Sequence, residues 1–185
     1  MSHRVCPWWV GYFLISPLRR LRQNPAEILA LFVHEGQTVL EPGPGMGFFT
    51  LELARRVGTT GRVVVVDIQP KMLERLKQRA AKATLIDRIS IRLASPDSMG
   101  IEELANSVDF ALAFAIVHEF PDASRFFREV AAACKVGAQL LLAEPKGHVK
   151  EADFDSELRS AAKAGFELIG RPAIRGSNAA VFKKQ

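Results

Sequence analysis

The residues from Glu41 to Gly47, Glu-Pro-Gly-Pro-Gly-Met-Gly, are the segment best suited to holding a ligand with its backbone. Glycines at alternate positions let a chain turn tightly and let a ligand approach the main chain closely. The run directly follows a short apolar segment, Thr38–Glu41, and precedes a helix-like stretch from about Phe48 to Val57. A loop between a strand's carboxyl end and a helix N-terminus is where open α/β sheets bind ligands. A dinucleotide fingerprint wants G-x-G-x-x-G; here the third glycine comes one residue early and Phe48 stands in its place. A P-loop needs Lys and Ser or Thr in register, and neither follows. The bland alternative is a glycine-rich turn with no ligand.

Asp67 ends the next strand-like run, RVVVVD, roughly two dozen residues after the turn opens. A carboxylate there can accept both hydroxyls of a ribose; its alternative is to cap the helix that starts near Pro70. A glycine turn, a strand and then an acid is a more specific combination than any one part. Further along, His118 and Glu119 follow the apolar run Val108–Ala113 and are candidates for moving a proton. Their alternatives are a hydrogen-bonded helix-start histidine and a surface carboxylate. Cys134, among alanines, reads as a buried core thiol. Cys6 with His3 offers two ligands, too few for a tetrahedral zinc, so no metal site is expected.

The elements that must position these groups alternate. Arg62–Asp67 is a continuous β-branched run of the kind buried on both faces of a parallel sheet. Pro70 marks a helix start, with Met72, Leu73, Leu76 and Ala80 on one face. Ile89–Leu93 and Val108–Ala113 read as strands, Asp122–Cys134 as a helix with Phe126, Phe127, Val130 and Ala131 inward, and Gln139–Ala143 as a strand. Glu151–Ala164 is an amphipathic helix stopped by Gly165. Two short strands, near Phe166–Arg171 and Ala179–Lys183, have no helix between them and can only pair antiparallel. The expected fold is α/β: a Rossmann-like, doubly wound, seven-stranded sheet, mostly parallel with a C-terminal antiparallel hairpin, and helices on both faces. Residues 1–34 stand outside the alternation as a cap or lid segment, and 35–185 form the ligand-binding domain.

The chain has 185 residues, 48% hydrophobic and 24% charged, which excludes a disordered, collagenous, coiled-coil or disulfide-framed protein. Two cysteines suit a reducing cytoplasm better than a secreted fold. The net charge is +5, and Arg4, Arg19, Arg20 and Arg22 precede the first acid, Glu27. Such an arm is a solvated basic face, or it attracts an anionic substrate, a membrane surface or nucleic acid. No stretch reaches the roughly 20 apolar residues of a membrane span, and Val5–Leu18, with Pro7 and Pro17, does not read as a signal peptide.

From about Glu35 onward the chain resembles the class I S-adenosylmethionine-dependent methyltransferases, in the glycine turn, in Asp67 and in the final hairpin. Within them it is most similar to the small-molecule branch of the ubiquinone/menaquinone-biosynthesis type, through Asn24-Pro25, the G-x-G-x-G turn and His118-Glu119. The resemblance implies S-adenosylmethionine as cofactor and S-adenosylhomocysteine as product. Glu41 matches the acid that opens the family's first motif. Gly43, Pro44, Gly45 and Gly47 match the turn whose backbone approaches the methionine part, Asp67 matches the acid that binds the ribose hydroxyls, and Ile68 and Gln69 follow it, with Ile68 expected to pack on the adenine. Ser95 stands where the family usually has an acid near the adenine amino group, with Pro96 next and Asp97 two places later. Either Asp97 substitutes, or Ser95 and a backbone carbonyl do the work. Met99 reads as core. In that branch the fourth strand ends near the transferred methyl, which implies a place there for Phe114 and Ala115.

The proline-rich tetrapeptide of nucleic-acid amino methyltransferases and the Pro-Cys nucleophile of cytosine methyltransferases do not occur at the matching positions, so the expected partner is a small-molecule acceptor rather than nucleic acid. The cofactor carries its own leaving group, so the protein must align nucleophile, methyl and sulfur and exclude water. Recognition in this family comes from the N-terminal segment and the loops after strands four and five, here Cys6–Asn24 and Pro145–Lys150. Trp8, Trp9, Tyr12 and Phe13 form a lid over an apolar or planar substrate, a homodimer contact, or ordinary packing. The alternatives to an enzyme are a non-catalytic cofactor-binding module or an RNA-binding module using the basic arm; a nicotinamide-dependent reductase is disfavoured by the third glycine.

Overall fold

Four valines in a row, Val63–Val66, can be satisfied only by burial on both faces, and they set the frame of the molecule. The computed structural model describes Ile15 and residues 17–185. Trp8, Trp9, Tyr12 and Phe13 lie outside the described residues, as do Cys6 and His3. The seven strands follow the order β3-β2-β1-β4-β5-β7-β6. The chain divides into two compact units, one ending at Gly100 and one formed by Ile101–Gln185.

In the first unit, short helices α1 (Pro17–Arg20) and α2 (Pro25–Leu29) precede the strands. Asn24 caps α2 by accepting the Ala26 N–H. Strands β1 (Thr38–Pro42), β2 (Arg62–Asp67) and β3 (Ile89–Leu93) pair in parallel, with Val39 opposite Val63 and Val64 opposite Ser90. Between them run α3 (Thr50–Arg56) and α4 (Pro70–Lys82). The latter buries the expected Met72, Leu73, Leu76 and Ala80. Helix α3 starts two residues later than the sequence suggests, because the turns of the glycine segment continue through Phe49. Met99 is core, as expected.

The second unit holds β4 (Val108–Phe114), α5 (Ala123–Ala133), β5 (Cys134–Pro145), α6 (Glu151–Lys163), β6 (Phe166–Gly170) and β7 (Ser177–Lys184). Strand β4 is parallel to β5; β7 is antiparallel to both β5 and β6 and is the inserted hairpin arm. Asp122 caps α5 through the Arg125 N–H. Strand β5 is longer than its apolar stretch, because Cys134 leaves α5 directly in extended conformation and Lys135–Gly137 are exposed and carry no alternation. Cys134 is therefore the C-cap of α5 rather than a helical residue, and it is a fully buried free thiol. Among the described residues no helix is long and apolar enough to cross a membrane.

Candidate functional site

The glycine loop leaves β1 with positive φ at Gly43 (65°), Gly45 (54°) and Gly47 (82°), the left-handed region that L side chains avoid. The loop is tied down at several points. Gly43 N–H donates to Val66 O, Gly47 N–H donates to Pro44 O, and the Arg79 guanidinium donates to Met46 O. A Cβ added at Gly47 would lie 3.2 Å from Leu76 Cγ, so that glycine is there for packing. One added at Gly45 would meet nothing within 4 Å among the described residues, so that glycine leaves room beside the backbone.

Glu41 is buried under this loop and accepts a 2.6 Å hydrogen bond from the Thr50 hydroxyl. Burial raises its pKa to about 7, with the Asp67 charge adding, against the hydrogen bond and the Arg19 charge. Arg19 stands 4.3 Å over the Phe48 ring, and burial lowers its pKa to about 10 against the pull of Glu41. Arg19 therefore packs within its unit, whereas Arg20 and Arg22 are exposed.

Asp67 is half-buried at the end of β2, and its Oδ1 accepts the Gln69 N–H at 2.9 Å. It shapes the turn, but Gln69 rather than Asp67 is the N-cap of α4. Ile68 beside it is exposed. The Asp67 carbonyl accepts the Ala94 N–H, which brings the turn Ser95–Ser98 to the end of β2. The Ser95 hydroxyl is engaged with Ser98, accepting its N–H and donating to its carbonyl, while Pro96 and Asp97 are exposed.

In the second unit, Phe114 is buried at the end of β4, and Ala115 has a positive φ of 57° with its N–H 2.7 Å from Ala143 O. A non-glycine residue there is strained backbone held by its surroundings. The following 3₁₀ turn, Val117–Glu119, carries His118, whose Nδ1 lies 2.5 Å from Glu144 Oε2. Burial lowers the His118 pKa, but the hydrogen bond to Glu144 and the charges of Glu144 and Glu119 outweigh it, and the net shift is upward. Glu119 is half-exposed and closes the turn with its N–H on Ile116 O. The sequence reasoning missed Glu144. Its signal was present: an acid ending the buried run Leu140–Ala143, at the carboxyl end of a strand. Among the described residues no cluster could hold a metal ion.

Residues 33–174 match the family model described as "Methyltransferase domain". The chain belongs to the methyltransferase domain family. It is 26% identical over 121 residues to the arsenite methyltransferase of Halobacterium salinarum, covering 65% of this chain and 30% of that protein. It is 28% identical over 112 residues to the ubiquinone/menaquinone biosynthesis C-methyltransferase of Enterobacter sp. (strain 638), covering 60% of this chain and 44% of that one. The chain thus spans less than half the length of these curated relatives. A SAM-dependent methyltransferase from Aquifex aeolicus has the same fold, with a TM-score of 0.83, 22% identity, and coverage of 97% of this chain and 98% of that chain. That protein is described as dependent on S-adenosylmethionine. The open backbone at Gly45 and the half-buried carboxylate of Asp67 suit that cofactor, the first giving close approach and the second accepting hydroxyls.

Proposed function

We propose that this methyltransferase domain transfers the methyl group of S-adenosylmethionine to a small-molecule acceptor by in-line displacement at the sulfonium carbon. The observation that carries the reading is the loop with three positive-φ glycines ending β1, followed by Asp67 ending β2. In this reading the loop from Gly43 to Gly47 meets the methionine part of the cofactor, with Glu41 beneath it. Asp67 takes the ribose hydroxyls, and Ile68, Gln69 and the Ser95–Asp97 turn meet the adenine. The committed Ser95 hydroxyl favours Asp97 or a backbone group for the adenine amino contact. His118 takes the acceptor's proton, with Glu119 beside it.

The relatives named for arsenite and for quinone biosynthesis support a small acceptor, and the second supports a planar or lipid-like one. The N-terminal aromatic residues Trp8, Trp9, Tyr12 and Phe13 fit a lid over such a compound, or a homodimer contact. Few cysteines and a buried thiol at Cys134 support a cytoplasmic setting. Calorimetric titration with S-adenosylmethionine and S-adenosylhomocysteine, with NADH as control, tests the reading. Binding of the first two alone, lost in Asp67→Ala, is the expected result; binding of neither sinks it.

A further inference from the structure

Glu144 has no exposed surface. Its Oε1 accepts the N–H groups of Ile116 at 3.2 Å and Val117 at 2.8 Å, and its Oε2 meets His118 Nδ1. The two backbone donors belong to the turn that carries the histidine, so carboxylate and ring are held in one frame. An ionised carboxylate accepts and does not donate, so the proton of this contact sits on Nδ1 and the basic lone pair of the neutral ring is on Nε2. We propose that Glu144 is a positioning residue that fixes His118 as the Nδ1–H tautomer, making Nε2 the base of the transfer, and that the acceptor therefore carries a proton on its attacking oxygen.

The inference rests on the transferase reading above. Among the described residues, the groups that face the ring include Glu119 from its own turn, Glu144 from β5, and His148 from the loop after β5, whose ring stacks parallel with its centroid at 6.3 Å. Two carboxylates oppose one neighbouring imidazole, so the surroundings favour an imidazolium once it forms. In the step, the acceptor oxygen bonds to the methyl carbon as the carbon–sulfur bond breaks. Sulfur keeps the electron pair and leaves as a thioether, and the hydroxyl proton passes to Nε2. One positive charge disappears at sulfur and one appears on the ring. An acceptor that arrives with a bare lone pair needs no such base. A phenol, titrating near 10, needs it more than a thiol, near 8.5.

Nitrogen-15 NMR of the histidine rings in the full chain, with His118 assigned through His118→Gln, tests the positioning. The expected wild-type spectrum has the proton on Nδ1 and a titration midpoint above the ordinary histidine value. In Glu144→Gln the side-chain carbonyl can keep the two backbone N–H groups while its amide turns to Nδ1, so the tautomer inverts to Nε2–H and the midpoint falls. A wild-type ring protonated on Nε2 overturns the proposal, and so does a Glu144→Gln spectrum like the wild type. The wild-type spectrum decides even where the variant does not fold. Transfer from methyl-tritiated S-adenosylmethionine to 2-naphthol and to 2-naphthalenethiol tests the acceptor class. The naphthol should be labelled, with kcat down about a hundredfold in Glu144→Gln at little change in KM. Label in the thiol alone, or in neither compound, overturns the hydroxyl acceptor. Cofactor titration separates the failures. A chain that binds no S-adenosylmethionine sinks the transferase reading, whereas one that binds it with the wrong tautomer sinks only this inference.

Discussion

At the scale of single residues, Gly45 and Gly47 of the loop are of two kinds. Gly45 and Gly47 both have positive φ, but only Gly47 is crowded, by Leu76. An alanine costs about 1–2 kcal/mol in that backbone conformation at either position. Gly47→Ala adds overpacking and should lower the melting temperature more than Gly45→Ala. Gly45→Val should leave a folded protein that no longer binds S-adenosylmethionine. Thermal melts beside calorimetry check the pair, and equal melting losses would contradict this division. The same scale governs Thr50. Its hydroxyl is a donor to the buried Glu41 carboxyl, so Thr50→Val should destabilise the chain by about 1–3 kcal/mol. The loss should be larger at pH 8 than at pH 5, because the hydrogen bond favours the ionised form; chemical denaturation at the two pH values reads it.

At the scale of elements, α6 carries an internal acid that its pattern disguises. Glu157 lies on the buried face beside Phe154, Leu158 and Ala161, and its Oε2 has no hydrogen-bond partner among the described residues. Burial, with the charges of Glu144 and Asp153 adding, raises its pKa to about 8. The folded state therefore favours the protonated acid. Its contribution to stability is complete below the ordinary value of 4.5 and is lost as pH rises through about 8. Glu157→Gln, which cannot ionise, should raise the melting temperature at pH 9 and change it little at pH 5. An unchanged or lowered melting temperature at pH 9 would show that the carboxylate is accommodated. Helix α1 is a second element whose role the charge pattern disguises. The basic arm suggests a solvated or RNA-facing segment, yet Arg19 stacks on Phe48 and only Arg20 and Arg22 of the described arginines there are exposed.

For the whole molecule, folding and ligand binding are linked. S-adenosylhomocysteine at a hundredfold over its dissociation constant should add about 2.7 kcal/mol to unfolding free energy. Asp67→Ala should remove that gain, as read by melts with and without ligand. Cys134 reports global opening. Burial pushes its thiol up to about 12, so in a Cys6→Ser chain a thiol reagent should react only as the protein unfolds. Reaction at the native rate of an exposed thiol would mean that the α5–β5 junction opens locally.

The sequence by itself determined the order of strands and helices, the glycine loop and the acid at the end of β2. These are local matters: β-branched runs, helical spacing, and glycines where φ must be positive. The ends of elements were less legible, since β5 begins in exposed residues without alternation and α3 waits for the loop to finish turning. Only the tertiary structure decided that Glu144 meets His118, that Arg19 lies on Phe48, and that Glu157 is buried with no partner for Oε2 among the described residues. Each depends on residues brought together from separate elements, and a carboxylate or guanidinium reads as surface until packing takes its water away.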